Sequence, residues 1–186
     1  GGSGQSVQWH GARWAGNINI YQASPTIRDS EIAYASRHGI AMEGGAPIIR
    51  GSYFHDNGSK VADYDILTSA SSAPIIEGNR LGPGAAAQRY ALRIGADSVG
   101  SLKDNIFHPT RAVHVLGGTI AQDATWTSQG MSHYYIADDI TIAGANAPLL
   151  TLSAGVTLQF DRGDGLFGGA AAAPGTLTVD GAAAPV

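Results

Sequence analysis

The chain contains no cysteine, which excludes disulfides, thiolate metal sites and a cysteine nucleophile. Charge is scarce: Asp, Glu, Lys and Arg supply 14% of the 186 residues, against roughly 25% in ordinary globular domains. The net charge is −4 and no basic stripe is present, so a nucleic-acid partner is not expected. No apolar run approaches the ~18 residues of a membrane-spanning helix, and membrane insertion is not expected either. There is no segment with the layout of a secretion signal. The chain opens Gly1-Gly2-Ser3-Gly4, and residues 1–6 read as a linker or tag-like segment.

What is abundant is glycine, 26 residues with no collagen-like triplet period, so the glycines must serve turns. Four segments then align: PTIRDSEIA from Pro25, PIIRGSYFH from Pro47, PIIEGNRLG from Pro74 and GSLKDNIFH from Gly100. Their starts are separated by 22, 27 and 26 residues. One column is always aliphatic (Ile27, Ile49, Ile76, Leu102), a second is small and polar (Ser30, Ser52, Asn79, Asn105), and a third is large and apolar (Ile32, Phe54, Leu81, Phe107). Upstream of each lies a second matching piece with the i, i+2 pattern of a half-buried strand: Ile18/Ile20, Ile40/Met42, Ile66/Thr68, Leu92/Ile94 and Val113/Val115.

The arc from this pair to the aliphatic column is constant at nine or ten residues, while the return arc varies from 11 to 17. A constant arc beside a variable one predicts two strands and a corner stacked in register, with a remaining loop free to bulge. In a hairpin fold, neighbouring strands have no reason to repeat residue types in order. In a parallel solenoid each residue sits about 4.8 Å above its equivalent one coil earlier, so like stacks on like. The Ser30–Ser52–Asn79–Asn105 column then reads as a hydrogen-bonded ladder at a bend, where inward backbone needs partners.

The P-x-I-x-x-[SN]-x-[IFL] segments and the His38-Gly39-Ile40 sequence resemble right-handed parallel β-helix repeat proteins of the pectate-lyase-like superfamily, over residues 7–118. The resemblance implies an all-β solenoid. Residues 7–120 are expected to form the coils carrying these repeats. Residues 121–186 follow a different rhythm, with LTLSAGVTLQF, GLFGG and GTLTVDG, and resemble the opening coils of a β-helix module in bacterial extracellular proteins. The chain therefore reads as a fragment of a modular extracellular protein, secreted or at the cell surface. An open coil end exposes strand edges, so end-to-end self-association or a small cap is expected.

Chemistry is harder to find. Asp29 and Asp104 share a column but lie three coils apart, about 14 Å, beyond the roughly 5–9.5 Å of a glycosidase carboxylate pair. His55 and His108 lie two coils apart, about 10 Å, too far to share a zinc ion, and both are expected to be surface residues. Asp138-Asp139 resembles the paired aspartates of polygalacturonase-like hydrolases, yet the Gly-His-Gly and Arg-x-Lys segments that accompany them are missing; a turn before a strand at Ile140–Ile142 is the expectation. The arginine-rich signature of pectate lyases is missing too. Arg162-Gly163-Asp164 spells the integrin-recognition tripeptide, which in a glycine-rich turn between strands arises readily by chance, and Asp161 and Asp164 lack the further oxygen ligands a calcium loop needs. Trp9, Trp14 and Trp126 are expected in the core or at a cap.

One outward face is a candidate for glycan binding, since aromatic rings pack on sugar faces while charged groups hydrogen-bond hydroxyls. Its columns are Arg28/Arg50/Glu77/Lys103 and Glu31/Tyr53/Arg80/Ile106, with His55 and His108 adjacent. The competing expectation is an ordinary solvated sheet face whose charges compensate between coils. The sequence thus points to a non-catalytic structural or adhesin-like module with no catalytic residues, cofactor or metal, its expected partner a polysaccharide or cell-surface glycan. The alternatives are a fragment of a polysaccharide-processing enzyme (lyase, hydrolase or epimerase) and a carbohydrate-binding module. For the enzyme, the place to look is the long loop Asn57–Asp65, which carries Lys60, Asp63 and Asp65.

Overall fold

The computed structural model describes residues 7–9, 12–85 and 89–181, with side chains from residue 15 onward. A short antiparallel hairpin, β1 (Val7–Trp9) and β2 (Ala12–Trp14), comes first. The side chains of Trp9 and Trp14 lie outside the described residues. About seven right-handed turns of a parallel solenoid follow. Coil one holds β3 (Gly16–Tyr21), β4 (Thr26–Arg28) and β5 (Glu31–Ala33); coil two holds β6 (His38–Glu43), β7 (Ile48–Arg50) and β8 (Tyr53–His55). Coil three holds β9 (Ile66–Thr68), β10 (Ile75–Glu77) and β11 (Arg80–Leu81). In coil four, β12 (Tyr90–Gly95) is followed by a 3₁₀ segment, Ala96–Ser101, then β13 (Leu102–Lys103) and β14 (Ile106–Phe107).

The expected columns are present in register. Ile27 pairs with Ile49, Ile49 with Ile76 and Ile76 with Leu102, all in parallel strands. Ile32, Phe54, Leu81 and Phe107 stack in the same way. These side chains, with Ile40, Ile66, Ile94 and Val115, form one continuous core.

The corner between these two faces follows from the residues placed there. Asp29, Gly51, Gly78 and Asp104 all adopt left-handed backbone, with φ of 50°, 58°, 64° and 53°. Glycine takes this conformation freely, and Asp is among the few L-residues that tolerate it. The next residue in each coil forms the ladder. The Ser52 N–H donates to Asn79 Oδ1 at 2.9 Å, and the Asn79 N–H donates to Asn105 Oδ1 at 3.0 Å. Asn79 Nδ2 also donates back to the Ile49 carbonyl, as Asn105 Nδ2 does to that of Ile76. The column runs one rung further than the repeats suggest: Gln129 Oε1 accepts from the Asn105 N–H at 2.9 Å, and its Nε2 donates to the Leu102 carbonyl.

Coil five changes the cross-section. It holds β15 (Ala112–Leu116), β16 (Gly118–Ile120) and β17 (Ala124–Trp126). Coil six holds β18 (Tyr134–Ile136), β19 (Ile140–Ile142) and β20 (Leu149–Leu152); coil seven holds β21 (Leu158–Phe160), β22 (Leu166–Gly168) and β23 (Thr176–Val179). One seven-stranded sheet, β3-β6-β9-β12-β15-β18-β21, runs the whole axis. The other two faces are not continuous: four-stranded sheets serve coils one to four, and two new three-stranded sheets serve coils five to seven. The 3₁₀ segment of coil four lies against β16 and β17, where the faces shift. Trp126 is fully buried there and packs on Tyr134. In coil seven Phe160, Phe167, Leu177 and Val179 are exposed, and β21, β22 and β23 are the outermost strands of their sheets.

Candidate functional site

The outward face of the first four coils has the predicted columns: Arg28, Arg50, Glu77 and Lys103 are neighbours, as are Glu31, Tyr53, Arg80 and Ile106. Its groups are largely satisfied by one another. Arg50 pairs with Glu77 at 2.9 Å. The Arg80 guanidinium lies 4.9 Å from the centre of the Tyr53 ring, and the same ring stacks on His55 at 4.4 Å. His108 hydrogen-bonds Thr110 within its own turn.

His55 departs from the expectation of a surface residue: it is buried. Its Nε2 meets Glu31 Oε1 at 2.9 Å and its Nδ1 meets Asp56 Oδ2 at 2.8 Å, while Tyr34 packs edge-on against the ring. The hydrogen bond to Asp56, with that to Glu31, raises its pKa despite the opposing effect of burial. The repeat reading missed this because Glu31 and Asp56 belong to no column with His55. Only the bend after β8 swings Asp56 back onto the ring.

The loop Asn57–Asp65 spends its carboxylates on its own shape. Asp63 is fully buried; its Oδ2 accepts from the N–H groups of Ser59 and Lys60, both at 2.8 Å, and Arg37 closes on its Oδ1. Asp65 is equally buried and accepts from Asn57 Nδ2 at 2.9 Å and from Arg111 at 3.0 Å. Arg111 comes from coil five and also donates to the carbonyls of Gly82 and Tyr90. Desolvation pushes Asp65 up to about 6, with the Arg111 charge acting against it. Gly39 is needed beside this loop: a Cβ there would stand 2.7 Å from the Asp65 carbonyl oxygen.

A second cluster was not anticipated. On the outside of the seven-stranded sheet, Ala41, Tyr64, Leu67, Tyr90 and Ala112 form an apolar group separate from the core, with Tyr135 packed against it. Its rings make a tract along the axis: His38–Tyr64 at 5.7 Å, Tyr64–Tyr90 at 6.0 Å, Tyr90–His114 at 5.2 Å and His114–Tyr135 at 5.4 Å. Tyr64 Oη and His114 Nδ1 are 2.7 Å apart. Burial lowers both His38 and His114 to about 4, and raises Tyr64 to about 12. Arg93 stands in the same row between Leu67 and His114. Its Nε donates to the Thr68 carbonyl, and no described carboxylate pairs with it. A signal was present in the sequence: Tyr64 and Tyr90 each precede a core pair by two residues, and His114 and Tyr135 each sit between two core residues.

Among the described residues no group of His, Asp and Glu is arranged to hold a metal ion. No helix among the described residues is long and apolar enough to cross a membrane.

Parallel strands, stacked aliphatic columns and an amide ladder define the molecule as a parallel β-helix. The family model for the right handed beta helix region matches residues 5–122, and the chain belongs to that family. Comparisons with curated proteins and with solved structures give no match.

Proposed function

We propose that this chain is a non-catalytic scaffold module of an extracellular protein, adhesin-like in use. The observation that carries this reading is the fate of the loop carboxylates. Asp63 and Asp65, the acids best placed by sequence for polysaccharide chemistry, are buried and committed to Ser59, Lys60, Arg37, Asn57 and Arg111. An acid held this way has no path to a sugar ring. The test is turnover on a panel of acidic and neutral polysaccharides, read as new reducing ends or unsaturated uronate. No turnover is expected, and activity lost in Asp63→Asn or Asp65→Asn would defeat the reading. In coil seven Phe160, Leu177 and Val179 continue the buried columns of Ile136, Leu150 and Leu152 yet are themselves exposed, which supports end-to-end association. A solution mass above that of one chain, reduced by Leu177→Ser, is the expected result.

Carbohydrate binding is a second reading, favoured by one observation: Arg93, without a described acidic partner, stands beside the Tyr64–His114–Tyr135 tract. Glycan-array binding reduced by Arg93→Ala with Tyr135→Ala would place the ligand there. Loss through Arg50→Ala with Tyr53→Ala would move it to the face of coils one to four.

A further inference from the structure

The corner that leaves the seven-stranded sheet in coils five to seven lengthens along the axis. Val115, Ile136 and Phe160 are in register at its start, and Gly118, Ile140 and Leu166 are in register at its end. Between them the chain takes three, then four, then six residue steps. Since the strands on both sides stay aligned, the extra length in coil seven is not needed to stack the coil. It holds the one sequence motif the fold does not absorb, Arg162-Gly163-Asp164.

The motif sits in a formed turn. The Asp164 N–H reaches back to the Asp161 carbonyl at 3.3 Å, and the Asp161 carboxylate accepts from the Arg162 N–H at 2.8 Å. Gly163 has φ of +100° with open space where a side chain would be. Arg162 and Gly163 are exposed and Asp164 is half-buried. A turn already fixed by its own hydrogen bonds loses less conformational freedom on binding than a flexible tripeptide. Arg162 and Asp164 flank its glycine corner, a cation and an anion with one residue between them. Asp164 is also crowded: partial desolvation, then Asp138, Asp139 and Asp161, raise its carboxyl above the ordinary value. A cation brought to it relieves that repulsion.

We infer that this bulged turn is a docking point for a cell-surface receptor of the integrin kind, one that seats a guanidinium among carboxylates and completes the shell of its own divalent cation with a ligand carboxylate. The inference rests on the adhesin-like reading and names a partner for it. The turn lies away from the outward face of coils one to four and adjoins the end of the outer ring tract, where the Asp161 carboxylate also hydrogen-bonds Tyr135.

The experiment immobilises the purified chain and measures binding of a purified Arg-Gly-Asp-binding integrin ectodomain in magnesium and manganese buffer. Saturable binding is expected, abolished by a chelator and displaced by a soluble Arg-Gly-Asp peptide. Asp164→Glu keeps the charge but lengthens the side chain, and should weaken binding at least about ten-fold; Arg162→Lys loses the planar guanidinium and should weaken it too. Neither side chain makes a hydrogen bond that holds the turn, and unchanged thermal unfolding of both variants checks this. No saturable binding by the unaltered chain, or binding that survives the chelator or Asp164→Glu, overturns the inference. That outcome leaves the scaffold reading standing, because the scaffold is tested by turnover and not by receptor binding.

Discussion

Replacing Asn79 by Ala removes the central rung of the ladder, and its cost can be worked from the hydrogen bonds. The Asn79 side chain accepts from the Ser52 N–H and donates to the Ile49 carbonyl, both at 2.9 Å, and donates to Asn105 Oδ1 at 3.1 Å. All of this is buried, with Asn79 1% and Ile49 0% exposed. Asn105 Oδ1 keeps the Asn79 N–H, so it is not orphaned. The Ser52 N–H loses its partner, while the Ile49 carbonyl lies within the parallel ladder of β7 with β10 and is not left unpaired. An orphaned buried group costs about 1–3 kcal/mol, which is the loss expected for Asn79→Ala. Asn79→Ser should cost less, because Ser52 already shows that a hydroxyl at this column accepts from the rung below, at 3.3 Å. Asn79→Asp keeps the acceptor for Ser52 but turns a buried carboxyl oxygen onto the Ile49 carbonyl and Asn105 Oδ1, both acceptors, and should cost more than Asn79→Ala. Urea unfolding of the four proteins measures the order. Hydrogen exchange at the Ser52 amide localises the effect, since that proton should lose protection first. A loss below about 1 kcal/mol for Asn79→Ala, or unchanged protection at Ser52, would refute the claim that the ladder is a principal fastening of the corner.

Arg111→Met should destabilise by about 3–5 kcal/mol, because it strands the buried Asp65 carboxylate; the double change with Asp65→Leu should recover much of the loss, and a double-mutant cycle in urea reads the coupling. Stability should fall as pH drops from 6.5 toward 4. His38 and His114 titrate near 4 when folded and near 6.5 when unfolded, so the unfolded chain binds more protons in that window. Each contributes a slope of at most about 1.4 kcal/mol per pH unit. Asp65 acts in the opposite sense: its folded value of about 6 exceeds the ordinary 3.8 of the unfolded chain, so its contribution is fully present below 3.8 and is lost as pH rises through 6. The net expectation between pH 6 and 4 is a fall of about 1.4 kcal/mol per unit, steeper in Asp65→Asn and shallower in His114→Gln. Urea midpoints that stay flat or rise on acidification would contradict the assignment of both histidines as buried and neutral.

The sequence alone determined what recurs once per coil. Parallel stacking converts a period along the chain into identity in space, so Ile27, Ile49, Ile76 and Leu102 could be placed in one column, and Ser30 to Asn105 in one ladder, without coordinates. The same logic set the distances that separate Asp29 from Asp104 and His55 from His108. What repeats could not supply is anything joined across unlike positions. Asp65 and Arg111 are 46 residues apart and share no column. His55 is enclosed by a residue from the coil below and one from its own bend. Gln129 continues the ladder from a stretch with no visible repeat. The shift of faces at coil five and the outer ring tract depend on how the variable arcs turn and which side of the sheet they close over. Register fixes height along the axis; lateral placement of the loops is set by packing, and only the tertiary structure decides it.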